Sequence, residues 1–180
     1  MHMRHMLIVL GIIVAAILVG AGLYFYGPGE LRETPTREGN EASALSAEVA
    51  EDISFKVIAE GSNASSVAAR KNYAVFDEGE FERLWTMAYG EEAPTLPSVD
   101  FDSQYVIGVF AGEKTTGGHA IKVEAITDEN AVRNVAITIE IPSRDCLVTE
   151  ALTSPFQIVV VPFSDRELIR TDTEVESSCS

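Results

Sequence analysis

Tyr105-Val106-Ile107-Gly108-Val109-Phe110 is an unbroken run of strand-forming residues, and Gly112-Glu113-Lys114-Thr115-Thr116-Gly117-Gly118 follows it almost at once. β-Branched and aromatic side chains suit a pleated, buried surface, while glycine opens turn conformations closed to other residues. The two stretches predict a strand running into a long hairpin. His119 to Ile126 and Val132 to Ile141 then read as strands on either side of the polar turn Asp128-Glu129-Asn130. Phe156 to Val161 is a last β-branched run, bounded by Pro155 and Pro162.

Upstream, Ser54-Phe55-Lys56-Val57-Ile58 and Tyr73-Ala74-Val75-Phe76 are shorter strand candidates. Asp77, with Glu80 three residues on, forms a capping box that opens one helix. Phe81, Leu84, Trp85 and Met87 or Ala88 recur at helical spacing until Gly90 stops it. Such a stripe predicts a packed face rather than a cofactor site, with Trp85 anchoring the helix on the sheet. Several short strands and one helix predict an α+β domain. It is mainly antiparallel sheet, or an incomplete barrel, with one covering helix. The folded domain is expected over residues 53–170, with a polar, disordered tail over 171–180.

Residues 28–52 carry Gly, Pro, Thr, Ser, Asn and Glu with few large apolar side chains. They cannot bury enough surface to offset their ordering entropy and read as a flexible linker. Before them, Leu7 to Tyr26 contains no charge and is dense in Leu, Ile, Val and Ala. Roughly 20 residues at about 1.5 Å each span a bilayer's hydrocarbon core. Tyr24, Phe25 and Tyr26 close the run as an interfacial aromatic belt, and Gly27-Pro28-Gly29 breaks it. Residues 1–27 therefore predict a transmembrane signal-anchor. The alternative is a signal peptide cut after Val19-Gly20-Ala21, which would leave Leu23 to Tyr26 apolar at the mature end. The anchor predicts a single-pass chain at the cell membrane with its C-terminal domain extracytoplasmic.

The formal net charge is −15, from 13 Lys+Arg against 28 Asp+Glu. Apart from Arg70-Lys71 the bases are scattered singly, so the chain lacks the clustered cations of a nucleic-acid surface. Cys146 and Cys179 form no CxxC pair. In an oxidising compartment they either pair, clipping the tail to the domain, or stand as independent thiols.

Catalytic chemistry finds little to work with. His119 is the one histidine beyond the apolar run, and no GxSxG elbow accompanies it. One histidine cannot assemble a histidine-based metal site. Asp100 and Asp102 could open a calcium loop, but Gln104 and Val106 fall where ligands and glycine are needed. The paired carboxylates Glu91-Glu92 and Asp128-Glu129 read as solvated turn residues. Gly112 to Gly118 has the glycine spacing of a phosphate loop, yet Gly118-His119 stands where Lys-Ser/Thr should follow. No metal, cofactor or catalytic residue is predicted.

The helix with Trp85, then Val99-Asp100-Phe101, Tyr105 to Gly112 and Lys114-Thr115-Thr116-Gly117-Gly118-His119-Ala120-Ile121 form one ordered series. Thr153-Ser154-Pro155-Phe156-Gln157-Ile158-Val159 into Val161-Pro162 completes it. From about Tyr73 to Pro162 this resembles the C-terminal domain of PrcB-like protease complex subunits. The resemblance implies a non-catalytic, exported domain that associates with or stabilises an extracytoplasmic protease. It supplies no active-site residues to carry over.

The first reading is thus a binding module presenting Lys114, Thr115, Thr116, Gly117, Gly118 and His119 to a protein partner, a protease or another envelope protein. A small-ligand or envelope-polymer binder, with Trp85, Phe101 or Tyr105 exposed in a groove, is the second. A carboxylate-dependent hydrolase is the third.

Overall fold

The computed structural model describes residues 50–178. The described residues all belong to one compact unit of the chain. The expected anchor Leu7–Tyr26 and most of the expected linker lie outside them. No helix among the described residues is long and apolar enough to cross a membrane.

The elements run β1 (Glu51–Asp52), β2 (Lys56–Gly61), β3 (Lys71–Val75), α1 (Glu78–Tyr89), a 3-10 turn (Gly90–Glu92), β4 (Gln104–Phe110) and β5 (Ala120–Glu129). β6 (Val132–Pro142), β7 (Phe156–Pro162) and β8 (Glu167–Ser177) follow. They form two open four-stranded sheets. The central sheet has the order β2-β7-β4-β3, and the outer sheet has the order β1-β5-β6-β8. Every pairing is antiparallel except β6 with β8. The α+β reading with one covering helix holds, but the strands divide between two sheets rather than forming one.

The reason lies in β4 and β7. Strand side chains alternate between faces, and nearly every residue of these two strands is apolar, so both faces need cover. Val106, Phe110, Phe156, Ile158 and Val160 pack with Phe81, Leu84, Trp85 and Ala88 of α1. Tyr105, Ile107, Val109, Val159 and Val161 pack with Ile121, Val123 and Ile126 of β5 and Val135, Ile137 and Ile139 of β6. The result is three layers: helix, central sheet, outer sheet. Each large side chain buried here contributes on the order of 1.5–3 kcal/mol.

The helix is set by local sequence as expected. The Asp77 carboxylate accepts from the Glu80 backbone N–H at 2.8 Å, and Gly90 ends α1 at φ 74°. Trp85 is 5 % exposed and its Nε1 donates to the Pro94 carbonyl at 2.8 Å. Gly108 faces α1, where a Cβ would lie 2.9 Å from Leu84 Cδ1; its absence lets the helix sit close.

Four expectations need correction. The stretch after Thr171 is not a disordered tail as far as Ser177. It forms most of β8, paired with β6 from Val132↔Glu167 to Pro142↔Ser177, and it takes its order from the β6 edge rather than from burial. The linker's last residues, Glu51 and Asp52, form β1 against Thr127 and Asp128 of β5. Gly112 to His119 is not a hairpin, because β4 and β5 belong to different sheets; it is a crossing between them. Asp128 is not a solvated turn residue but a buried strand residue, 5 % exposed. Glu91 and Glu92 are exposed in the 3-10 turn, as expected.

Candidate functional site

The crossing from β4 to β5 is held on both sides. Gly112 takes φ 74°, and a Cβ there would meet the Ala69–Arg70 peptide at 2.7 Å. The Glu113 N–H donates to Ala68 O at 2.9 Å. Lys114 and Thr153 exchange two backbone hydrogen bonds of 2.7 and 2.9 Å, and Thr153 Oγ1 donates to Thr116 O at 2.9 Å. The Gly117 N–H donates to Thr149 O at 2.9 Å. Gly117 is needed for space rather than for backbone angle, since a Cβ would lie 2.5 Å from Thr149 Oγ1. Gly118 carries the second left-handed φ, 83°. The six predicted residues therefore form one backbone-fixed ledge.

Their side chains differ in access. Thr115 and Gly118 are exposed, Lys114, Thr116 and His119 are half-buried, and Gly117 is buried. Thr116 Oγ1 lies 3.4 Å from His119 Nε2, and the Glu140 backbone lies against the same ring. Burial pushes the imidazole below its usual range, and the Lys114 ammonium pushes the same way. His119 also lines a cavity of about 310 Å³ with Glu60, Lys122 and Gln157.

The irregular segment that buttresses the ledge was missed by the sequence reading. Leu147 and Leu152 flank Val148 to Ala151 and are 105 % and 70 % exposed. Two large apolar side chains in solvent beside a fixed polar ledge make a surface of mixed character, as protein interfaces have. The available signal was two leucines within the mostly polar stretch Ser143 to Ser154. Cys146, in the same stretch, is disulfide-bonded. Cys179, its partner in the pairing alternative, lies outside the described residues.

Other candidates resolve into structure. Arg133 donates to both Asp128 oxygens at 2.6 and 2.8 Å and to Pro162 O at 2.6 Å, with Tyr105 Oη at 3.5 Å. Arg166 adds a contact to Asp128 at 3.3 Å. Hydrogen bonds from Arg133 hold the Asp128 carboxyl below the usual carboxylate range. This charge pair is mutually satisfied and ties the β5–β6 hairpin to the end of β7. Asp100 closes its own turn, accepting from Asp102 N at 3.2 Å and Ser103 Oγ at 2.7 Å. Among the described residues no three His, Cys, Asp or Glu side chains gather as a metal site would require. Trp85 and Tyr105 are buried and Phe101 is half-buried against Phe81, so these aromatics do not floor an open trough.

Residues 105–162 match the family model described as PrcB C-terminal. The match runs from β4 through β7 and takes in the whole ledge and the Leu147–Leu152 segment; it covers less than half of the chain. No curated protein and no solved structure matches significantly. The likeness to the PrcB C-terminal domain thus rests on the shared centre of both sheets, and β1 to β3, α1 and β8 fall outside it.

Proposed function

We propose that this chain is a non-catalytic accessory subunit, anchored in the cell membrane by Leu7–Tyr26, whose extracytoplasmic domain associates with or stabilises a protease or another envelope protein. The observation that carries the reading is the match of residues 105–162 to the PrcB C-terminal family. The uncharged apolar run and the linker after it support anchoring. The ledge Lys114–His119 is the partner-facing element. Its backbone is fixed before binding, which lowers the ordering cost of association. Leu147 and Leu152 extend it with apolar area.

The test is crosslinking of the full chain in its native membrane, followed by identification of what is recovered. Wild type recovers an envelope protease or other envelope protein. Lys114→Ala/His119→Ala and Leu147→Ser/Leu152→Ser recover less, while their unfolding midpoints stay near wild type. Equal recovery by all three at equal folded concentration removes this surface from the interface. Recovery of no envelope protein by wild type ends the accessory-subunit reading.

A further inference from the structure

Four strands end the two sheets, and three are blunted. β1 is two residues long. β2 is interrupted by a register shift between Val57 and Ala59. β3 has five residues, and Arg70 crosses beside it to Asp172 at 3.1 Å. β8 is different. It has 11 residues, roughly 36 Å of strand at about 3.3 Å each. Its register with β6 is unbroken, and it contains no Pro, Gly or Lys. Beyond it no strand follows among the described residues, and all its residues except Ser177 are exposed. A long regular edge presents a row of backbone donors and acceptors ready for another strand.

The side chains of β8 say which strand. Paired residues share a face, so Ile169, Thr171, Thr173 and Val175 lie with Asn134, Ala136, Thr138 and Glu140 on the solvent face of the outer sheet. Arg170, Asp172, Glu174 and Glu176 lie on the other face. The strand holds four acids, Glu167, Asp172, Glu174 and Glu176, against one base, Arg170. Asp172 is engaged by Arg70, whereas Glu174 and Glu176 make no ion pair among the described residues. A second copy of β8 would bring more acid to this edge, in a chain already at −15. The complementary occupant alternates basic residues with β-branched ones. The edge also leads to the ledge, since Gly118 and Ser177 line one cavity of about 560 Å³.

We propose that the free edge of β8 accepts an extended segment of a partner protein, with basic residues at alternate positions, as a fifth strand of the outer sheet. Backbone hydrogen bonds supply affinity, and Glu174 and Glu176 select charge. The inference does not depend on the partner being a protease.

The experiment measures fluorescence anisotropy of a labelled eleven-residue peptide, lysine alternating with valine and threonine, against the full chain in a non-ionic detergent. Saturable binding is expected. A peptide with central proline replacements keeps its charge but loses backbone donors, and should bind about tenfold more weakly or worse. Two further peptides carry N-methyl groups at odd or at even positions. Strand addition uses one edge of the peptide, so one set abolishes binding and the other spares it. Glu174→Lys/Glu176→Lys in the protein should weaken binding without moving the unfolding midpoint. Equal binding of parent and proline peptides, or of both methylated sets, reduces the effect to charge attraction and overturns the proposal. So does no binding by wild type, or dimerisation of the chain through β8 in sedimentation. Since no protease is present, the outcome is separate from that of the capture experiment.

Discussion

The central and outer sheets use similar residues and differ in how many faces are covered. In β4 and β7 burial is continuous from Tyr105 to Phe110 and from Phe156 to Val161. In β5 and β6 it alternates, and in β8 no residue is buried. The helix makes the difference by closing the second face of one sheet and leaving that of the other in water. Stability therefore concentrates in the central sheet, while the outer sheet keeps a face and an edge open to solvent. The ledge at Lys114–His119 is the point where the chain passes from one sheet to the other.

The comparison breaks if emptying the covered side costs little. Trp85→Ala should lower stability by about 3–5 kcal/mol, the range for removing a buried aromatic. Its ring contacts Phe81 and Tyr89 at 5.7 and 4.8 Å between centroids, and its N–H is bonded, so a hole and an orphaned Pro94 carbonyl both remain. Chemical denaturation of the full chain measures it. A midpoint equal to wild type would mean the helix adds nothing to the central sheet.

Between the two sheets the charge pair gives a second large effect. Arg133→Ala leaves Asp128 buried without its main partner, which costs about 3–5 kcal/mol in comparable cases. Asp128→Leu/Arg133→Met removes both charges and should recover much of that loss. If the double variant is no better than the single, the pair is needed for more than neutrality.

A cleaner contrast sits on one strand. Ile137 points into the sheet–sheet core at 1 % exposure, and its neighbour Thr138 faces solvent opposite Lys122. Ile137→Ala should cost about 2–5 kcal/mol, and Thr138→Ala about 0.5 kcal/mol or less. Comparable losses at both positions would mean that the outer face is covered in the intact protein.

The same contrast explains what could be read from sequence. Tyr105 to Phe110 and Phe156 to Val161 announce buried strands because apolar residues fill both faces. Asp77 and Glu80 announce the helix because a cap is a local contact. β8 buries nothing, so Thr171-Asp172-Thr173-Glu174-Val175-Glu176 looks like a solvated tail; its order comes from an edge that sequence alone does not display. The ledge residues were legible as a glycine-rich turn, but β4 pairs with β7 and not with β5, a choice made by residues distant in the chain. Asp128 and Arg133 are five positions apart and meet only after the hairpin closes, so each looks like an ordinary surface charge.

The smallest expected effect falls at the ledge, where covered and uncovered sheets meet. Burial is the main cause that lowers the His119 pKa, and Lys114 lowers it further, against a smaller opposing contribution from the Glu140 backbone. The neutral imidazole is thus favoured in the folded chain relative to the unfolded one, where the pKa is about 6.5. Its contribution to stability is fully present above that value and is lost as pH falls through the lower folded pKa. Carboxylates titrate in the same direction at more acid pH, so the quantity to follow is the difference between wild type and His119→Gln. That difference should be flat from pH 8 to 7 and shift against wild type as the pH falls below about 6.5. Lys114→Gln removes the neighbouring positive charge and should raise the His119 pKa, read from the imidazole NMR titration, without reaching the exposed value because burial remains. An imidazole that titrates at the ordinary value in wild type would place His119 in open solvent, and one that titrates above it would mean that the Glu140 backbone outweighs burial. In the first case the ledge would belong to the uncovered sheet alone, and Lys114 and His119 would no longer act as a coupled pair at the crossing.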